Sequence, residues 1–170
     1  LLYHDTLADE LRFTLRNHAL PVDERHISAT LETLGIAHLA AAYPRDLSGG
    51  EAQRAALAAI LVAEPRIVLL DEPTRGLDYA AKHALAQLLQ RQAAAGRGVV
   101  LVTHDVEFVA LCAGRVVLLG EGEVVVEGPT VEVLGDSLLF STQVGKLFPR
   151  SGWLTVEDVA AGLEAVSSGA

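Results

Sequence analysis

Three short stretches of the chain hold residue types that could do chemistry together. The first is Leu47-Ser48-Gly49-Gly50-Glu51. Ser48 and Glu51 have the spacing of a capping box, a device worth about 1 kcal/mol of helix stability. A cap does not require two glycines. Without side chains, Gly49 and Gly50 let another molecule approach their N–H groups closely. Those groups and the helix dipole together form an anion site. An ordinary cap after a loop is the plainer reading of these five residues alone.

The second stretch is Ile67-Val68-Leu69-Leu70-Asp71-Glu72-Pro73. Its unbroken apolar run predicts a strand buried on both faces. Asp71 and Glu72 then stand at the strand's C-terminal end, the edge where open α/β sheets bind ligands. Side chains alternate along a strand, so the two carboxylates point in different directions and can hold different jobs. Pro73 biases Glu72 toward extended geometry. Asp71 suits a Mg²⁺ ion that bridges nucleotide phosphates. Glu72 suits orienting or deprotonating an attacking water, a role worth roughly 10²–10⁴-fold in rate. A solvated acidic turn explains the pair alone, but not the whole run.

The third stretch, Thr103-His104-Asp105, follows the apolar run Val99 to Val102. His104 should therefore reach the same sheet edge, where it could hydrogen-bond a terminal phosphate; a lone histidine at a strand end is usually structural, but its position relative to Asp71 and Glu72 favours the phosphate role. Asp105 can cap the next helix. His4, His18, His26, His38 and His83 have no metal-ligand spacing and read as surface or packing residues. Cys112, the single cysteine, excludes a disulfide scaffold and reads as a small buried hydrophobe.

The elements that must position these residues follow from periodicity. Helices are predicted over 5–19, capped by Asp5, over 23–34 with Gly35 as C′ residue, and over 37–42 before Pro44. A helix over 48–63, a strand over 67–70, a helix over 79–95 and a strand over 99–102 follow. A helix over 105–112 leads into a hairpin, 116–119 and 124–126, around Gly120-Glu121-Gly122. Residues 130–134 and 137–148 read as helical, the tail from Ser151 as weakly patterned, and 167–170 as frayed. Alternating strands and helices imply parallel pairing.

The 170 residues fit one domain, and 51% hydrophobic content rules out disorder. A net charge of −9 makes nucleic acid a poor partner. No apolar run approaches the ~18 residues needed to span a bilayer.

Taken in order, these residues resemble the ATP-binding-cassette (ABC) ATPase family. Leu47 to Glu51, followed by Gln53 and Arg54, is similar to its signature motif. Ile67 to Glu72 resembles its Walker B strand and catalytic glutamate, Gly76-Leu77-Asp78 its D-loop, and His104 its switch histidine. The "DVEFVA" and "EGPTVEVL" segments are most similar to energy-coupling-factor and cobalt-type importer ATPases.

The resemblance implies an α/β, P-loop NTPase-like core, incomplete, with an N-terminal all-helical subdomain and a C-terminal β-hairpin. It implies a helical subdomain over 1–46, the C-terminal part of the core over 47–150 and a tail over 151–170. A P-loop, GxxxxGK[ST], is missing from the sequence: after Gly145-Lys146 comes Leu147, and Phe140 stands where its first glycine belongs. In the family that loop lies upstream of the helical subdomain. With no methionine and Leu1 at its start, the chain is expected to be part of a longer polypeptide, inactive alone and prone to aggregate at an exposed sheet edge.

The resemblance further implies that two such domains pair head to tail around ATP. Ser48, Gly49, Gly50 and Glu51 would face the nucleotide held by the partner. Asp71, through Mg²⁺, with Glu72 and His104 would serve the nucleotide of their own core, and Asp78 would communicate across the dimer. Glu51 stands where many members carry glutamine. The implied function is the ATP-hydrolysing subunit of a membrane importer, bound to a transmembrane subunit at the cytoplasmic face of the membrane. Alternatives are a soluble family member acting on ribosomes or DNA, and a non-catalytic half acting as a binding module.

Overall fold

The computed structural model describes residues 3–135, 137, 140–149 and 151–168. The chain forms two compact units, Leu1–Val102 and Thr103–Ala170.

The first unit begins with helix α1 (Leu7–Asn17), which buries Leu7, Leu11 and Leu15 on one face. Thr6 caps it, accepting from the Asp9 N–H at 3.1 Å; the expected cap, Asp5, is one residue too early. The helix stops at Asn17, and Ala19, with φ +53°, is already in a turn. Helix α2 (Glu24–Thr33) is capped by Asp23, the expected first residue of the helix, and ends before Gly35, whose φ of +68° suits a C′ residue. Arg12 of α1 donates to both oxygens of Glu24 at 2.8 Å and to Asp9 at 2.7 Å, pinning the two helices together. The expected helix over 37–42 is a short 3₁₀ turn, Ala37–Leu39, with a second at Pro44–Asp46, because Pro44 leaves no room to propagate.

Helix α3 (Gly49–Leu61) packs against α1 and α2 and buries Ala55, Leu57, Ala58 and Leu61. Strand β1 (Ile67–Asp71) pairs in parallel with β2 (Gly98–Val102), from Ile67↔Gly98 to Asp71↔Val102. Helix α4 (Tyr79–Ala94) joins them and packs against β2. The sheet differs from the expected strand buried on both faces. Val68 and Leu70 are buried, but Ile67 and Leu69 are 63% and 70% exposed, and Val100 and Val102 lie bare on the same face. The apolar run predicted two covering layers; this unit supplies one.

In the second unit, helix α5 (Val106–Cys112) buries Phe108 completely. Cys112 is only half-buried, and its thiol donates to the Phe108 carbonyl at 3.2 Å. Burial, with a smaller push from Asp105, raises that thiol to about 11. Strands β3 (Arg115–Gly120) and β4 (Glu123–Pro129) form the expected antiparallel hairpin. Glu121 and Gly122 both have positive φ, +52° and +85°, the requirement of a tight two-residue turn. Helix α6 (Thr130–Gly135) packs on α5 and β4.

The helix expected over 137–148 is shorter: α7 (Gln143–Leu147), capped by Thr142. Before it the Ser137 hydroxyl accepts from the Phe140 N–H at 2.9 Å; residues 136, 138 and 139 lie outside the described residues. The tail is more ordered than its weak pattern predicts. It forms α8 (Val156–Ser168), where Asp158 accepts from the Leu154 and Thr155 N–H groups at 2.8 Å each. The expected fraying over 167–170 falls partly on residues 169 and 170, outside the described set, while 167 and 168 are helical.

Candidate functional site

The α3 tip has the predicted geometry. Ser48 is extended, with φ −61° and ψ 161°, so its side chain folds back over the first turn. Its hydroxyl accepts from the Glu51 N–H at 3.4 Å and donates to Glu51 Oε2 at 2.6 Å, and its backbone N–H donates to the same oxygen at 2.8 Å. These bonds from the Ser48 side chain and backbone hold the Glu51 carboxyl below its ordinary range, with a smaller contribution from Arg54.

The two glycines beside it are not forced by packing. A Cβ built on Gly49 would meet nothing within 4 Å. One on Gly50 would meet Leu77 Cδ2 at 3.6 Å and Arg54 Nη1 at 3.8 Å, ordinary contact distances. The fold would accept alanine at both positions. What glycine leaves is open room over the first-turn N–H groups, which suits a phosphate approaching the helix N-terminus.

Asp71 ends β1, is exposed, and pairs with Val102 in the sheet register. The Glu72 N–H adds one more bond to the Val102 carbonyl, at 2.8 Å. Glu72 then has φ +46°, which corrects the expectation that Pro73 would continue the strand direction. Proline disfavours the right-handed helical region before it, and the left-handed region lets the chain turn sharply here. Non-glycine residues in that region cost of order 1 kcal/mol or more and gather at functional sites. The Arg75 N–H reaches the Glu72 carbonyl at 3.3 Å, the Leu77 N–H reaches the Thr74 carbonyl at 3.1 Å, and Gly76 takes φ +77°. Pro73 and Thr74 are buried, which anchors the turn. Asp78 ends it, exposed, capping α4 by accepting from the Ala81 N–H at 2.8 Å.

The first unit therefore holds Ser48, Gly49, Gly50, Glu51, Asp71, Glu72 and Asp78, and brings Gly50 to within one side chain of the turn that ends at Asp78. His104 belongs to the second unit, where it is exposed. Next to it, Thr103 Oγ1 accepts from the Asp105 N–H at 3.1 Å, and Asp105 caps α5 through the Phe108 N–H at 3.1 Å.

Among the described residues no group of three or more His, Cys, Asp or Glu side chains could cage a metal. The exposed Asp71 carboxylate still fits Mg²⁺, which is commonly held by one or two carboxylates with the remaining ligands from water and substrate phosphates. Sequence reasoning missed the left-handed Glu72 and the approach of Leu77 to Gly50. The first follows from a sharp turn that an extended-strand rule overrides. The second is a contact across 27 residues with no local sequence signal.

The chain is similar in sequence and fold to known proteins. Residues 2–75 match the sequence family described as ABC transporter. A Streptomyces avermitilis protein named as an ABC transporter ATP-binding protein is 55% identical over 117 residues, 69% of this chain. The energy-coupling factor transporter ATP-binding protein EcfA of Methanothermobacter thermautotrophicus is 36% identical over 140 residues, 81% of the chain. The structure of cbiO1 from Clostridium perfringens, part of the ABC transporter complex cbiONQ, is similar over 86% of the chain with TM-score 0.71 and 31% identity. The chain spans 21% of the Streptomyces protein, 45% of EcfA and 62% of the cbiO1 chain.

Proposed function

Because the chain belongs to the ABC transporter family of ATP-binding proteins, we propose that it provides the signature helix and the hydrolytic carboxylates of an ATPase that drives a membrane importer of the energy-coupling-factor type. The observation that carries this reading is the pairing, in one unit, of a glycine-opened helix tip with an acidic strand end. The reading also requires a lysine-bearing phosphate loop, and no GxxxxGK[ST] occurs among these 170 residues.

On this reading Ser48, Gly49 and Gly50 offer first-turn N–H groups and a hydroxyl to the terminal phosphate of a nucleotide bound by a second ABC domain. To do so, Ser48 Oγ exchanges its bond to Glu51 Oε2 for one to phosphate. Asp71 would hold Mg²⁺, which when bound would supply neutralising charge for the terminal phosphate. Glu72 orients the attacking water and accepts its proton on a carboxylate oxygen. His104 donates to the terminal phosphate, and Asp78 relays the state of one site to the other. The domain pair works at the cytoplasmic face of the membrane, and the helices of residues 1–46 carry the contact to the transmembrane subunit. Support for the energy-coupling-factor reading comes from the similarity to EcfA, named as an energy-coupling factor transporter ATP-binding protein, and to cbiO1, part of an ABC transporter complex.

Hydrolysis of MgATP by the complete ATPase tests this. Glu72→Gln keeps the side-chain shape and removes the proton acceptor. Turnover should fall at least 10²-fold with nucleotide binding retained. Wild-type turnover in Glu72→Gln would refute the assignment.

A further inference from the structure

We propose that the Glu51 carboxylate is an internal stand-in for phosphate at the α3 tip: in the resting chain it occupies the donors of Ser48, and a nucleotide engages the tip by displacing it. This regulation of the site rests on the functional reading above. A serine hydroxyl has a single proton to donate. That proton is committed, because Ser48 Oγ–H donates to Glu51 Oε2 at 2.6 Å. The Ser48 backbone N–H donates to the same oxygen at 2.8 Å. Both lengths are those of bonds to a charged acceptor. One carboxylate oxygen thus holds both donors that Ser48 could offer to a phosphate.

Glu51 competes by charge as well as by position. It sits in the first turn of α3, where the helix dipole favours a negative group. The two bonds from Ser48, with smaller contributions from Arg54 and His38, hold its carboxyl below the ordinary range, so the stand-in is ionised at neutral pH. An incoming phosphate therefore meets a like charge seated on donors that are already taken. Ser48 is exposed and Glu51 half-buried, so the carboxylate can turn from Ser48 into solvent while the helix stays in place. Glutamine would complete the same capping box. Its amide oxygen carries no charge and holds the two donors less tightly. Glutamate at this position thus raises the nucleotide concentration at which the tip engages.

The test is steady-state hydrolysis of MgATP by the complete ATPase carrying Glu51→Gln, alone and with Ser48→Ala, beside the double variant Gly49→Ala, Gly50→Ala. Glu51→Gln keeps the cap, so the protein folds. It should lower KM about 5-fold and leave kcat within about 2-fold of wild type, because the freed donors bind ground state and transition state alike. In a Ser48→Ala background the same substitution should change KM by no more than about 2-fold, because the contested hydroxyl is gone. A purely structural cap would change the melting midpoint and leave KM where it was. An unchanged or raised KM in Glu51→Gln, a change confined to kcat, or the full KM effect without the Ser48 hydroxyl would each overturn the proposal. Wild-type turnover in the glycine double variant would instead undo the functional reading itself, because the tip would then not meet the nucleotide.

Discussion

The two glycines at the α3 tip give the sharpest separation of folding from function. The perturbation is Gly49→Ala with Gly50→Ala. Both residues are helical, and neither is among the glycines with positive φ. A Cβ at the first meets nothing within 4 Å, and at the second nothing closer than 3.6 Å. Packing therefore adds no penalty. Alanine is better than glycine by roughly 0.8–1.0 kcal/mol in a helix interior, and by less in the first turn. The pair together should stabilise the fold by about 1 kcal/mol, which raises the melting midpoint by about 2–4 °C for a protein of this size. Hydrolysis should move the other way. Two methyl groups would stand over the N–H groups that a phosphate must approach, and a loss of ~1.4 kcal/mol in transition-state binding is already tenfold in rate. Thermal denaturation of the chain gives the first quantity and MgATP turnover of the complete ATPase gives the second. A variant that melts earlier, or one that turns over like wild type, would refute the claim that these glycines serve a ligand.

Gly162→Ala makes the opposite case for stability. A Cβ there would lie 2.3 Å from Trp153 Cζ2 and 2.9 Å from Cε2, so the indole must move away from its edge-on contact with Phe148. Overpacking costs about 1–3 kcal/mol against a helix gain of about 1 kcal/mol. The melting midpoint should fall and the emission of the single tryptophan should shift; a rise with unchanged emission would refute it. The capping box predicts a pH effect. Glu51 has its carboxyl lowered by Ser48, so its contribution is present above the ordinary value of 4.5 and lost as pH falls through the lower folded value. Acid titration should show a steeper loss of stability in the wild type than in Glu51→Gln, and identical acid limbs would count against it.

The α3 tip was legible because a capping box is a local device: Ser48 and Glu51 fix each other whatever surrounds them. The parallel pairing of β1 and β2 and the turn at Glu121-Gly122 were legible for the same reason, through short apolar runs and turn chemistry. Helix α8 was not, because Val156 and Leu163 are exposed and no apolar stripe announces it. Its start was nevertheless written in Thr155 and Asp158, which bond to each other's backbone like a capping pair. The bare side of β1 and β2 was misread because an apolar run records what a strand prefers to touch, and says nothing of whether this chain supplies it. The left-handed Glu72 was set by a turn anchored on buried Pro73 and Thr74, which a preference of one residue for extended geometry does not outweigh.

The pairing of β1 with β2 has a kinetic consequence. Joining Ile67 to Gly98 closes a loop of about thirty residues, with an entropic cost near 3 kcal/mol before any contact rewards it. The Glu72 N–H bonds to the carbonyl of Val102, at the far end of β2, so this bond to the acidic turn forms only when β2 pairs. Opening of that pairing should release the acidic turn, and amide exchange at Glu72 should be faster than in the buried turns of α1 and α3.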